Sequence, residues 1–236
     1  MRPARTAVIV PAAGRGERLG PGTPKALRSL AGQPILLHAV RAVAAARGVD
    51  MVVVAAPEDA IDETRGVLSG IEHDAQLVVV AGGETRQDSV ARALLALPPD
   101  VDVVLVHDAA RPLVPPEVVD RVVGAVRAGA EAVIPVLSVV DTIKEVDGQG
   151  DVVRTLDRGV LRAVQTPQGF RRDVLQQAHA ASDGADATDD AGLVEGQGVV
   201  VATVPGAEEA FKITRPLDLV LAEAVLARRR ASDGVG

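Results

Sequence analysis

The chain has 236 residues, 47% apolar and 24% charged, which excludes a disordered chain and makes a single α/β domain the first expectation at this length. Its 25 basic and 32 acidic residues leave a net charge of −7, unsuited to general nucleic-acid binding although a few converging cations can still hold a small polyanion. There is no Cys, Trp or Tyr, and Phe170 and Phe211 are the aromatic residues, so disulfides, thiolate chemistry, thiolate metal sites and stacking of bases on rings are excluded.

Residues 1–12, MRPARTAVIVPA, run from basic to apolar as a leader peptide would. The apolar part is short and enters a Gly-rich loop, so it reads as a first strand at 6–10. Further Val-rich runs at 51–55, 77–81, 101–107, 132–136 and 199–204 read as strands buried on both faces. Helical stretches lie between them at 34–47, 59–69, 86–97, 116–128 and 171–181, and a last one at 216–230. Pro34 and Pro116 suit a first helical turn. Arg228, Arg229 and Arg230 form a solvated end of the last helix, at the negative pole of its dipole.

This alternation predicts a doubly wound, mostly parallel sheet with right-handed crossovers and ligands at the carboxyl ends of its strands. The domain is expected over 1–231, with a disordered tail at 232–236. One segment breaks the rhythm: at 138–157 two β-rich runs flank Asp147-Gly148-Gln149-Gly150, a hairpin signal. It is too poor in apolar residues for a core of its own. It reads as a protruding dimerisation arm at about 138–158, the alternative being a hairpin folded back on its own domain. No apolar run reaches the roughly 18–20 residues that cross a bilayer, so no membrane partner is expected and the compartment is read as cytoplasmic. His38, His73, His107 and His179 are scattered, which argues against a histidine zinc site.

The residues after each strand carry the chemistry. The first strand leads into Pro11-Ala12-Ala13-Gly14-Arg15-Gly16-Glu17-Arg18-Leu19-Gly20 and then Pro24-Lys25. Small residues let backbone N–H groups approach an anion, and Arg18 and Lys25 could clamp a nucleoside triphosphate; a solvated loop with incidental charges is the plain alternative. The spacing fits neither a dinucleotide fingerprint nor a P-loop. After the third strand, Gly82-Gly83 leave room for a flat base, and Ser89 offers a hydroxyl from the next helix, unless it serves only the turn. After the fourth, Asp108 is a carboxylate placed for magnesium, which takes one or two carboxylates plus substrate phosphates; a turn-capping Asp is the alternative. His107 reads as packed. Lys212 stands between apolar neighbours, where a lysine needs an anion or a route to water.

Together, Ala12-Ala13-Gly14, Arg18, Pro24-Lys25, Gly82-Gly83, Arg86, Asp88-Ser89-Val90, His107-Asp108-Ala109-Ala110-Arg111-Pro112, Asp141-Thr142-Ile143-Lys144, Thr166-Pro167-Gln168 and Lys212-Ile213-Thr214-Arg215-Pro216 make the chain resemble the 2-C-methyl-D-erythritol 4-phosphate cytidylyltransferase family, from about Ala7 to Leu226. The resemblance implies a Rossmann-like nucleotidyltransferase that joins CTP to methylerythritol phosphate, releases pyrophosphate and serves isoprenoid precursor synthesis. It implies a homodimer with crossing hairpin arms and a need for Mg²⁺ or another divalent cation. It assigns Arg18 and Lys25 to the triphosphate and the transition state. Arg158, from the other subunit, and Lys212 go to the acceptor phosphate, and Arg111 and Thr142 to the acceptor site. Ala12, Ala13, Gly14, Gly82, Gly83 and Ser89 go to the nucleotide, and Asp108 to the ribose and metal.

Departures from the family pattern at Ala210-Phe211, Thr188-Asp189-Asp190 and Asp157-Arg158-Gly159-Val160 leave the charged residues in place. Glu209 is a candidate second acid for the metal. Some relatives continue into a zinc-dependent cyclase; with the chain ending soon after Arg230, that activity is not expected. Because the acceptor is already a phosphate monoester, no general base is required, and catalysis would rest on positioning and charge. Three alternatives remain open: a ribitol 5-phosphate cytidylyltransferase, a transferase using another nucleotide, and a non-catalytic nucleotide-binding protein on the same fold.

Overall fold

Alternate residues of a strand point to opposite faces, and in the first strand both sets are apolar and buried. A strand of that kind must be covered on both sides. The computed structural model of the protein, which describes residues 4–14, 25–71, 73–182 and 188–233, has that arrangement. Its strands are β1 (Arg5–Pro11), β2 (Ser29–Leu30), β3 (Gln33–Pro34), β4 (Met51–Ala56), β5 (Gln76–Ala81), β6 (Val101–Val106), β7 (Ala132–Ser138), β8 (Lys144–Val146), β9 (Val152–Thr155), β10 (Arg162–Val164), β11 (Gln168–Arg171) and β12 (Val201–Pro205). Its helices are α1 (Ile35–Ala44), α2 (Ile61–Leu68), α3 (Arg86–Leu95), α4 (Pro116–Arg127), α5 (Arg172–Ala181), α6 (Asp190–Glu195) and α7 (Pro216–Asp233).

Val8 and Val10 join one apolar layer with Leu36, Val40 and Val43 of α1 and Val118, Val119 and Val122 of α4. Ala7 and Ile9 join the other with Val90 and Leu94 of α3, Leu175 of α5 and Val194 of α6. The mostly parallel α/β sheet expected from the valine runs is present. β1 pairs in parallel with β4 and β6, β4 with β5, and β7 with β12. Two strands of this sheet were not expected. β11 lies antiparallel between β6 and β7, and β10 pairs antiparallel with β7. Val133 pairs with both Gly169 and Ala202, and Val136 with both Val164 and Pro205. A strand has two edges, so β10 and β11 follow one another along the edge of β7 that β12 leaves free.

β8 and β9 form the antiparallel hairpin read from the sequence. Its turn is an Asx arrangement: Asp147 Oδ1 accepts the N–H groups of Gln149 and Asp151 at 2.9 and 3.0 Å, and Gly150 takes a positive φ of 93°. At the chain's end, α7 continues to Asp233, so Ser232 and Asp233 extend the helix instead of starting the expected tail; residues 234–236 lie outside the described residues. α7 packs Leu219, Ala222, Val225 and Leu226 against Leu30, Ile35 and Leu113. This places the segment just before it, Ala210–Ile213, over the carboxyl end of β6.

Candidate active site

The carboxyl ends of β1, β4 and β5 are stitched together by backbone bonds. The Ala12 amide donates to Ala55 O at 2.8 Å, and the Gly82 amide to Ala56 O at 2.7 Å. Glycine is required here by space. A Cβ on Gly82 would lie 2.6 Å from Ala13 Cβ, and one on Gly83 would lie 2.2 Å from Asp88 Cβ. A capping box between Thr85 and Asp88 opens α3 directly behind this shelf. Ser89, in the same first turn, is buried. Its hydroxyl accepts the Gly83 amide at 3.0 Å and donates to Thr85 O at 2.9 Å. Arg92 caps Gly82 O at 2.6 Å. In this structure Ser89 therefore shapes the Gly82-Gly83 shelf from beneath instead of presenting a free hydroxyl.

Beyond β6 stands Asp108, with a side chain 12% exposed between two cations. Lys212 Nζ is 2.7 Å from Oδ2, and Arg86 Nε is 3.2 Å from Oδ1. Burial would raise this carboxyl, but the charges of Arg86 and Lys212 outweigh it and hold Asp108 below the usual carboxylate range. Lys212 is delivered by backbone. The Ile213 amide donates to Ala110 O at 2.8 Å, Arg111 Nη1 donates to Ala210 O at 2.7 Å, and both Ala210 and Ile213 are buried. The flanking apolar side chains pin the segment, and Lys212, which is 38% exposed, meets both Asp108 and solvent.

Arg111 also donates to Val164 O at 3.2 Å, so both terminal nitrogens hold backbone and its charge enters the site as a fixed background. His107 is fully buried. Its Nε2 lies 3.1 Å from Arg111 O, an acceptor, so Nε2 carries the proton and Nδ1 accepts from the Thr166 hydroxyl at 3.1 Å. Thr166 in turn accepts the Asp108 amide at 3.1 Å. Burial drives the His107 pKa down to about 4. A neutral ring with both nitrogens engaged is a strut, in line with the packed role read from the sequence.

The structure thus brings Ala12, Ala13, Gly82, Gly83, Ser89, Asp108, Arg111 and Lys212 to one end of the sheet. Gly14 follows on the exposed side of the same loop. Lys25 opens the short helical turn Lys25–Leu27, and Arg18 lies outside the described residues. Thr142 is exposed at the root of the β8–β9 hairpin, and Arg158, exposed beyond β9, donates to Val140 O. Among the described residues no hydrogen bond or ion pair ties Thr142 or Arg158 to the Asp108 cluster.

Glu209, read as a candidate second metal acid, is taken by Arg228 and Arg229, and Arg229 also donates to Leu113 O at 2.8 Å. Glu209 fastens α7 to the loop before it, and the Arg228-Arg229 pair is an anchor as well as a helix end. Arg86, quoted in a motif without a role, is the residue the sequence reading missed. Its signal was an arginine in the first turn of a helix directly behind a Gly-Gly strand end. Among the described residues no cluster of three or more acidic or histidine side chains could hold a metal. Asp108 would hold magnesium by giving up Arg86 or Lys212 from one of its oxygens, the ion being bound otherwise by substrate phosphates and water.

The IspD family model, described as 2-C-methyl-D-erythritol 4-phosphate cytidylyltransferase, matches residues 6–228. A curated relative of that name from Streptomyces coelicolor is 58% identical over 240 residues, covering 98% of this chain and 88% of the relative. Another, from Frankia casuarinae, is 61% identical over 229 residues, covering 97% and 84%. Among solved structures, the 4-diphosphocytidyl-2C-methyl-D-erythritol synthase of Anaerococcus prevotii superposes with a TM-score of 0.82 at 27% identity, covering 95% of this chain and 96% of that one. The 2-C-methyl-D-erythritol 4-phosphate cytidylyltransferase of Thermus thermophilus gives 0.75 at 40% identity, covering 94% and 98%. With the family model and these relatives matching nearly the full length, the chain belongs to the 2-C-methyl-D-erythritol 4-phosphate cytidylyltransferase family.

Proposed function

We propose that the chain transfers CMP from CTP to 2-C-methyl-D-erythritol 4-phosphate, releasing pyrophosphate and forming 4-diphosphocytidyl-2-C-methyl-D-erythritol, in the cytoplasm. The observation that carries this reading is the Lys212–Asp108 ion pair of 2.7 Å at the end of β6, with Arg86 on the other carboxylate oxygen. The obstacle in this reaction is charge, because the acceptor phosphate must approach the α-phosphorus of a triphosphate. The acceptor oxygen is a competent nucleophile without deprotonation, and the buried His107 has no free nitrogen to act as a base. The chain's task is to position the two anions in line and to neutralise the charge that grows on the α-phosphoryl oxygens.

In this reading the Gly82-Gly83 shelf takes the cytosine, and Ala12, Ala13 and Gly14 line the phosphate path. Arg18 and Lys25 hold the triphosphate. Asp108 faces the ribose. Lys212 exchanges Asp108 for the acceptor phosphate, assisted by Arg111, by Thr142 and by Arg158 of a second copy. Magnesium, when bound through Asp108, supplies further charge neutralisation at the phosphates. A homodimer through the hairpin is supported by its surface: Val146, Val152 and Val153 on β8 and β9, and Val140 and Val160 beside them, are each more than half exposed. Val146 and Val152 are cross-strand partners. Apolar side chains at that density on a two-stranded ribbon call for a cover.

The test is pyrophosphate release from CTP, UTP, ATP and GTP with methylerythritol phosphate and magnesium. Strong preference for CTP supports the reading. Equal use of another nucleotide, or CTP binding without turnover, would overturn it.

A further inference from the structure

Asp190 lies outside the candidate site, yet the fold invests heavily in its placement. Asp189 caps α6 by accepting the Gly192 amide at 2.9 Å. Gln168 of β11, itself buried, donates to Asp189 Oδ2 at 2.7 Å and accepts the Ala191 amide at 3.1 Å. The Asp190 side chain between them is 1% exposed, with His179 Nε2 at 2.9 Å from Oδ1 and Arg86 Nη1 at 2.7 Å from Oδ2. Burial opposes its ionisation, but the hydrogen bond from His179 and the charge of Arg86 outweigh it and keep the carboxyl below its ordinary range. From Arg86 the chain of contacts continues through Nε to Asp108 Oδ1 and from Oδ2 to Lys212.

A buried aspartate held by an arginine and a histidine can be structural ballast. The geometry here is more directed. Nε and Nη1 belong to one rigid plane, so a carboxylate on each fixes the orientation of that plane. Arg86 otherwise has a long, flexible stem. We infer that Asp190 is a positioning residue for nucleotidyl transfer: it fixes Arg86, which fixes the Asp108 carboxylate through the oxygen that Lys212 does not use. The inference rests on the reading of Asp108 as a site residue. When Lys212 turns to the acceptor phosphate, Arg86 is the contact that keeps Asp108 in place, and Asp190 keeps Arg86.

The test is a double-mutant cycle, read as single-turnover rates with enzyme in excess so that slow variants remain measurable. Asp190→Asn keeps size and shape and loses the charge. It is expected to slow transfer about tenfold in the parent chain and by less than about twofold in an Asp108→Asn background, because a residue acting through Asp108 has nothing left to position there. Arg86→Lys keeps the charge but lacks the rigid plane that sets the direction of both carboxylates, and is expected to behave in the same way. It carries the test alone if Asp190→Asn fails to fold, with thermal unfolding as the check. Losses that multiply in the Asp108→Asn background, or an Asp190→Asn rate within twofold of the parent, would overturn the inference while leaving the site reading intact. Full activity in Asp108→Asn alone would instead overturn the site reading on which it rests.

Discussion

Lys212 and Asp108, far apart in the sequence, meet at 2.7 Å because the segment before α7 is bonded backbone to backbone onto the loop after β6. In the resting chain each neutralises the other. On the proposed function the lysine then serves the acceptor phosphate. Lys212→Ala is expected to lower kcat/KM for the acceptor about 10²–10³-fold, in the range of losing one preorganised charge donor. Steady-state kinetics would show this, and a loss under threefold would remove Lys212 from the chemistry.

Lys25 enters the account from the sequence, as a cation on the triphosphate. Its removal is expected to act on the transition state: Lys25→Ala should lower kcat by about 10²–10³, or about 3–4 kcal/mol. An unchanged kcat with a raised KM for CTP would restrict it to binding.

The Gly82-Gly83 shelf has no room for a methyl group. A Cβ at Gly82 would fall 2.6 Å from Ala13 Cβ and 3.2 Å from Ala56 O. Gly82→Ala must therefore push the ends of β1, β4 and β5 apart, at a cost of about 1–3 kcal/mol of stability. Isothermal titration with CTP is expected to show at least about tenfold weaker binding, since the displaced loops are the proposed nucleotide shelf. Unchanged affinity would place the nucleotide elsewhere.

His107 gives a pH signature. Burial lowers its pKa from 6.5 to about 4 in the folded chain. As pH falls through 6.5 the unfolded chain takes up a proton that the folded chain refuses, so stability is full above about 6.5 and is lost progressively toward 4. Between pH 6.5 and 5 the loss should be about 1–2 kcal/mol. His38, half-buried and shifted down by its burial, adds in the same direction. Urea unfolding across this window is expected to steepen with acid in the parent and to flatten in His107→Asn. Equal slopes would mean that His107 is not the group that titrates.

The hairpin makes the proposed dimer testable. Val152 and Val153 of β9 are both more than half exposed. Sedimentation should find a dimer, and Val152→Glu combined with Val153→Glu should shift it toward monomer with loss of activity, because Arg158 then has no second site to reach. A folded monomer with full activity would contradict this.

The valine runs made the layered sheet readable, since a strand buried on both faces is apolar at every position, as β4 is. β10 and β11 escaped because Arg162–Val164 is exposed throughout and Gln168–Arg171 holds one large apolar residue, Phe170. Neither offers a period to read. The strand-end residues Asp108 and Gly82 were legible for the reason the fold is: in a doubly wound sheet the chemistry follows the strands. The partners that hold them were not. Arg86 and Thr166 reach Asp108, and Asp190 reaches Arg86, only once the crossovers are in place, and no spacing along the chain encodes that.

The most direct measurement is pyrophosphate release with CTP and magnesium, comparing 2-C-methyl-D-erythritol 4-phosphate with ribitol 5-phosphate as acceptor. Fast release is expected with the methylerythritol substrate and little with the other. Preference for ribitol 5-phosphate would contradict the assigned acceptor, and no release with either, in a protein that still binds CTP, would contradict the assigned reaction.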